Sequence, residues 1–182
     1  MALRRGFKTE ANWWSRSLRA ELGLGPASPM CPRKLAAHLS LPLLTLTEFT
    51  DIAPQAVQYL SSQKGQRDFS GVTITYAGER WIIHNDANDP GRQAADIAHE
   101  IAHALLQHPV TAMFQSDGSR SHNKEHEEEA NWLGPTLLVS DEAALFAAYN
   151  RLSVGDAAEL YGVSRDLMQM RLNVSGARKR VA

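Results

Sequence analysis

The sequence predicts an α+β fold, mostly helical, with one small antiparallel sheet set directly before its central helix. Three stretches carry that expectation. Asp89–His108 repeats Ala94, Ala98, Ile101, Ala102 and Leu105 at the spacing of one helix face. Gly71–His84 alternates Val72, Ile74 and Tyr76 with Thr73 and Thr75, turns at Ala77-Gly78-Glu79 and returns through Trp81–His84, as a hairpin does. Ser153–Leu172 reads as two short helices about a Gly162-Val163-Ser164 turn, with Ser153 and Ser164 as N-caps and an Asp in each first turn. With 182 residues, 43% of them hydrophobic, the chain can bury one good core. The expected division is a main domain over 1–150, with the helices of 151–182 packed on it.

In chain order, Thr9–Leu22 is expected to form the first helix, burying Phe7, Ala11, Trp14, Leu18 and Leu22 and ending at Gly23, Gly25 and Pro26. A short helix follows over Pro32–Leu39, with proline near the position where no amide hydrogen is needed. Leu41–Phe49 is apolar and threonine-rich and reads as a strand. Pro54–Ser61 is another short helix, and Ser61–Arg67 a polar loop. After the hairpin, Asp89 caps the central helix and Pro90 takes its first position. Thr111–Ser121, containing Ser116-Asp117-Gly118-Ser119, is expected to be a loop. A further helix starts near Ser121 and runs to Gly134-Pro135. A kink or break is expected there, because proline lacks a donor and clashes with the preceding turn.

A formal net charge of −1 excludes a general polyanion binder. The charge is uneven, with Lys and Arg in excess from Met1 to Ser40 and from Arg165 to Ala182, which read first as solvated helix faces. One cysteine, Cys31, excludes an internal disulfide and suits a reducing compartment. The basic residues near Met1 have no apolar run behind them, and no segment approaches the length of a membrane span. The expectation is a cytoplasmic protein.

The central helix holds His99-Glu100-Ile101-Ala102-His103. Residues four apart project from one side of consecutive turns, so His99 and His103 can hold one zinc ion while Glu100 reaches a water beside it. A hydrolytic zinc site needs a third protein ligand. The downstream source is Glu125-His126-Glu127-Glu128-Glu129-Ala130-Asn131, where Glu127 and Asn131 share a face. Glu127 is the expected ligand, with Asn131 bracing a histidine; Glu128 or Glu129 would require the helix to be turned differently. A rival motif, His122-Asn123-Lys124-Glu125-His126, fits an inverted zinc pattern but has no apolar residue to bury its helix. His84 ends a strand, and His108 stands at a helix C-terminus, where a cation is favoured.

His99-Glu100-x-x-His103, followed by Glu127-x-x-Ala130-Asn131 and then Leu137-Leu138, resembles the ImmA/IrrE-type zinc metallopeptidases. Arg92, seven residues before His99, matches the usual arginine of that family. Gly6–Ala11 and Leu18–Gly23 resemble its N-terminal helix. The resemblance implies a zincin-like fold with its metal core at about 70–140, Glu127 as third ligand, and a partner repressor with an Xre-like DNA-binding domain as substrate. The chain departs from the family at Gly134-Pro135, and Ser140 stands where proline is usual.

The expected chemistry is peptide hydrolysis, with zinc on His99, His103 and Glu127, and Glu100 moving the proton. Tyr76, His84, Arg92, His122 and His126 are candidates to stabilise the oxyanion. The edge of the hairpin can pair with an extended substrate or simply wall the core. Two other readings stand beside this one. The C-terminal pair resembles a helix-turn-helix and, as a DNA reader, would offer Arg165, Gln169 and Arg171, whereas as packing it would bury Leu160, Leu167, Met168 and Leu172. The last reading is a zinc-bound but inactive partner-binding module of a toxin–antitoxin pair.

Overall fold

The computed structural model describes residues 3–110 and 123–181. The loop expected over Thr111–Ser121, together with His122, lies outside them. The helices are α1 (Phe7–Glu21), α2 (Pro32–His38), α3 (Pro54–Ser61), α4 (Gly65–Asp68), α5 (Pro90–Leu105), α6 (Lys124–Leu138), α7 (Asp141–Tyr149), α8 (Val154–Tyr161), α9 (Arg165–Val174) and α10 (Ala177–Arg180). The strands are β1 (Leu43–Thr45), β2 (Gly71–Tyr76) and β3 (Glu79–His84). The fold is the mostly helical α+β type that the sequence predicts. No described helix is long and apolar enough to cross a membrane.

β2 and β3 form the expected hairpin, in register from Gly71 opposite His84 to Tyr76 opposite Glu79. Ala77 and Gly78 both take positive φ, which matches the turn to the twist of the strands. The sheet is not purely antiparallel. β1 adds to the far side of β3 in parallel, pairing Leu43 with Ile82 and Thr45 with His84. The strand expected over Leu41–Phe49 is therefore three residues long. It stops because Thr45 and Glu48 cap a 3-10 turn at Leu46–Phe49 reciprocally, and the chain then crosses through α3 and α4 before the hairpin. With the order β1-β3-β2, one side of β2 is unpaired within the sheet.

Two apolar clusters meet along α5 and α6. One joins Phe7, Ala11 and Leu18 of α1, Leu35 and Ala36 of α2, and Ile82 of β3 to Ile97, Ile101 and Ala102 of α5 and Ala130, Leu133 and Leu137 of α6. The other joins Ala98, Leu138 and Val139 to α7, α8 and α9. The C-terminal pair thus shares a core with the central helices. Ser153 and Ser164 cap α8 and α9 as expected, accepting from the amides of Asp156 and Leu167.

α6 is continuous through Pro135. The expected break is absent because the donor removed by Pro135 would have served the carbonyl of Asn131, an exposed position where water can replace it. Thr136 Oγ1 also donates to the Trp132 carbonyl at 2.8 Å. The end of α6 is held by buried donors from both ends of the chain. Ser15 Oγ donates to the Thr136 carbonyl at 2.9 Å, Arg19 to that of Leu138 at 3.1 Å, and Arg171 to that of Val139 at 2.8 Å. Cationic donors at a helix C-terminus satisfy orphan carbonyls and oppose the helix dipole.

His84 is fully buried, and neither ring nitrogen has a partner among the described residues. Burial, with the charge of Arg33, lowers its pKa below the ordinary 6.5. The unfolded chain therefore binds this proton more readily, so the stability tied to neutral His84 is complete above about pH 6.5 and is lost as the pH falls below it. His84→Leu is expected to flatten the acid side of the stability profile below about pH 6.5, by up to about 1.4 kcal/mol per pH unit. Urea titrations in the presence of a chelator check this; an unchanged slope would mean that the imidazole is not held neutral.

Candidate metal centre

Asp89 starts α5 as expected, its Oδ1 accepting from the Arg92 amide at 3.0 Å, with Pro90 in the first turn. Four turns later the helix ends in an unusual way. Gln107 adopts φ 54°, the left-handed conformation that glycine usually fills. The amide of Gln107 bonds to the Ala104 carbonyl at 3.1 Å and that of His108 to the His103 carbonyl at 3.0 Å, which makes a complete Schellman cap. Arg80 of β3 fastens the same end, donating to the carbonyls of His108 at 2.9 Å and His103 at 3.4 Å.

His99, His103 and Glu127 converge, each offering a ligand atom within 4.8 Å of the others. The two Nε2 atoms are 3.0 Å apart, His99 Nε2 is 3.4 Å from Glu127 Oε2, and His103 Nε2 is 3.6 Å from Glu127 Oε1. Tetrahedral ligands about 2.0–2.2 Å from one zinc ion lie roughly 3.3–3.5 Å from each other, so the donor set and its dimensions fit that ion. The electrostatics match. Hydrogen bonding to His103 and then His99 holds the Glu127 carboxyl far below the usual carboxylate range. Burial opposes charge on His99, but the hydrogen bond with Glu127 and the carboxylates of Glu100, Glu127 and Asp96 raise its pKa overall. The pocket favours positive charge.

What brings Glu127 there is a close helix contact. A Cβ built on Gly134 would lie 3.0 Å from the His99 amide nitrogen and 3.1 Å from the Ala98 carbonyl. Gly134 is seven residues after Glu127, on the same helix face, with buried Ala130 between them. Small residues there let α6 lie against the backbone of α5.

Glu100 projects towards the hairpin. Its Oε2 accepts from Thr73 Oγ1 at 2.6 Å, and a Cβ on Gly71 would lie 3.6 Å from its Cγ. The threonine face of β2 therefore looks onto α5. No feature of the sequence pattern singled out Thr73.

Asn131, expected to brace a histidine, is exposed, and among the described residues it makes no hydrogen bond to either one. Ala130 takes the inward position of that turn. The neighbour of His103 is instead His108, Nδ1 to Nδ1 at 3.0 Å. His108 Nε2 meets Glu129 Oε2 at 3.1 Å, and Glu129 Oε1 accepts from Arg4 Nε at 2.6 Å. His108 stands past the helix C-terminus, as the sequence predicts, where the dipole alone would favour a cation. It is buried, and burial outweighs Glu129 to lower its pKa.

Of the oxyanion candidates, Tyr76 is largely exposed and packs edge-on against Trp81. His84 is buried without a partner. Arg92 is committed to the Gln66 carbonyl at 2.7 Å and lies near Asp96 at 3.8 Å. His126 stacks on His108, with ring centroids 4.2 Å apart. Glu125 of the rival motif is exposed. Among the residues suggested for DNA reading, Arg171 is buried between the Val139 carbonyl and Asp141, and Gln169 bonds to Asn173. The turn before α9 abuts α5, where a Cβ on Gly91 would stand 2.9 Å from the Ser164 amide nitrogen. Leu167, Met168 and Leu172 are buried, while Leu160, expected with them, is about half exposed.

Residues 53–173 match the family model Peptidase_M78, described as the IrrE N-terminal-like domain. The chain belongs to this peptidase family. No curated protein matches. The M78 match spans all three donors, the hairpin and α5 to α8, and it agrees with the family resemblance carried by the His99–His103 motif. α1, α2 and β1 lie outside it.

The close contact gives a prediction of unusual sign. Gly→Ala inside a helix normally stabilises by about 1 kcal/mol. Gly134→Ala is expected to destabilise instead, because forcing a methyl group against the α5 backbone costs about 1–3 kcal/mol. Thermal unfolding in chelator measures it, and a raised Tm would show that the helices are not in contact at this point.

Proposed function

We propose that the protein is a zinc-dependent metallo-endopeptidase that cleaves a partner protein in the cytoplasm. The observation carrying this reading is the convergence of His99, His103 and Glu127 at tetrahedral ligand spacing, beside a Glu100 carboxylate held from the adjacent strand. Bound by those three residues, zinc supplies Lewis acidity towards a water molecule and the scissile carbonyl. Glu100 accepts the proton of the attacking water and delivers it to the departing amine. Thr73 holds Glu100 by donating to Oε2, leaving Oε1 for that transfer. β2, whose Thr73 side chain meets Glu100, has one edge unpaired within the sheet, and an extended substrate can add to it through backbone hydrogen bonds. A substrate held along an open strand edge needs no free terminus, which favours endopeptidase action.

The substrate we propose is a repressor or antitoxin with an Xre-like DNA-binding domain, on the resemblance to ImmA/IrrE-type peptidases and the M78 match. The DNA-binding alternative is weakened by the buried Arg171 and by the packing of the α8–α9 turn on Gly91.

Protein purified without chelators is expected to carry about one zinc and to cleave the repressor encoded beside it. Glu100→Gln should retain the metal and lose cleavage by about 10²–10⁴-fold. A Glu100→Gln variant that still cleaves would remove the carboxylate from the reaction. Binding of the neighbour without cleavage would favour the inactive module, and salt-sensitive DNA retention that survives chelation would favour the regulator. Glu127→Ala is expected to empty the site while Glu128→Ala leaves it filled, and the reverse would reassign the third ligand.

Thr73→Val should lower kcat about tenfold with little change in metal content, the scale of one hydrogen bond to a charged group. Steady-state kinetics beside metal analysis check it, and an unchanged kcat would make the contact incidental.

A further inference from the structure

Beyond the three ligands, His108 and Glu129 are the notable charge-bearing groups near the site that the proposed chemistry does not use. Both are largely buried, with side-chain exposures of 6% and 13%. Their contacts form one line: His103 Nδ1 to His108 Nδ1 at 3.0 Å, His108 Nε2 to Glu129 Oε2 at 3.1 Å, Glu129 Oε1 to Arg4 Nε at 2.6 Å, and Arg4 Nη2 to Glu10 Oε2 at 2.7 Å.

Hydrogen bonding allows one proton arrangement when a metal takes His103 at Nε2, the nitrogen that faces His99 and Glu127. Nδ1 of His103 then carries its hydrogen and donates to His108 Nδ1. That nitrogen must accept, so the hydrogen of neutral His108 is on Nε2, where it donates to the Glu129 carboxylate. Glu129 accepts again from the Arg4 guanidinium. Each donor meets one acceptor along the line.

The backbone explains why His108 can do this. In a Schellman cap the side chain two residues past the helix end packs on that of the third residue before it, usually as an apolar pair. Here those positions are His108 and His103, and the left-handed Gln107 turns one ring back against the other. His126 covers the outer face of His108 by stacking.

We propose that His108 and Glu129 are positioning residues for the metal ligand His103, fixing its tautomer and ring orientation, with Arg4 anchoring the carboxylate to α1. The proposal rests on the metal-site reading above. Groups that hydrogen-bond a ligating imidazole hold it in place and raise its basicity, and their loss typically costs 10–100-fold in metal affinity.

The test is zinc affinity, by competition with a chromophoric chelator, together with the visible spectrum of the cobalt(II)-substituted protein. His108→Phe keeps a ring to stack on His126 and removes both hydrogen bonds; it is expected to weaken zinc about 10–100-fold and to shift the cobalt bands. Glu129→Gln keeps an acceptor for His108 and serves if His108→Phe does not fold. It should fall between wild type and Glu129→Ala, a graded rescue that a packing role would not produce. Leu172→Ala, in α9, supplies a destabilised control with normal affinity and normal bands. Affinity and spectra equal to wild type in both His108→Phe and Glu129→Ala would overturn the relay while leaving the metal site intact. A wild-type protein that takes up no metal would overturn the site reading, and the relay with it.

Discussion

The contact of α6 with the backbone of α5 at Gly134 is the constraint on which the site depends. Two imidazoles on one helix define a line of donors, and a metal needs a third donor from elsewhere. A carboxylate side chain is short, so its helix must come close. Ala98 and Ala102 on α5, with Ala130 and Gly134 on α6, keep the interface free of bulk, and all four are fully or nearly buried. Pro135 follows immediately and is tolerated because the hydrogen bond it removes lies at an exposed residue. The dipeptide that looked like an interruption therefore lies within the contact that seats Glu127.

Much of the fold was legible in the sequence because the signals are local. The Asp89 cap, the proline after it, the His99–His103 spacing and the alternation over 71–84 each depend on neighbours within a few residues. The features that escaped depend on distant partners or on rare backbone states. Parallel pairing of β1 requires the path of α3 and α4, which no periodicity encodes. Gln107 gives no glycine-like sign of a left-handed cap, so the return of His108 onto His103 was invisible. Asn131 was assigned inward by its four-residue spacing from Glu127, but the helix presents Ala130 and Gly134 to α5 and turns Asn131 to solvent.

The sheet contributes through Thr73 and Arg80, on the same face as the buried Ile82 that packs against α5. Thr73 holds Glu100, and Arg80 takes the carbonyls of His103 in the last turn of α5 and of His108 in its cap. β3 therefore fixes the far end of α5 while β2 meets its middle. The position of the strand edge relative to Glu100 is set at two points along the helix, and an extended chain laid on that edge would inherit the alignment.

Arg19 and Ser15 reach the end of α6 from a helix that precedes the similarity-matched span, which begins at residue 53. Arg4, on the approach to that helix, does the same for Glu129. A fragment trimmed to the recognisable region would uncover the apolar side of α6 and leave two of its terminal carbonyls without their donors. The border of the family match and the border of the shared core differ in this chain, because the match begins after the helix whose side chains close the end of α6.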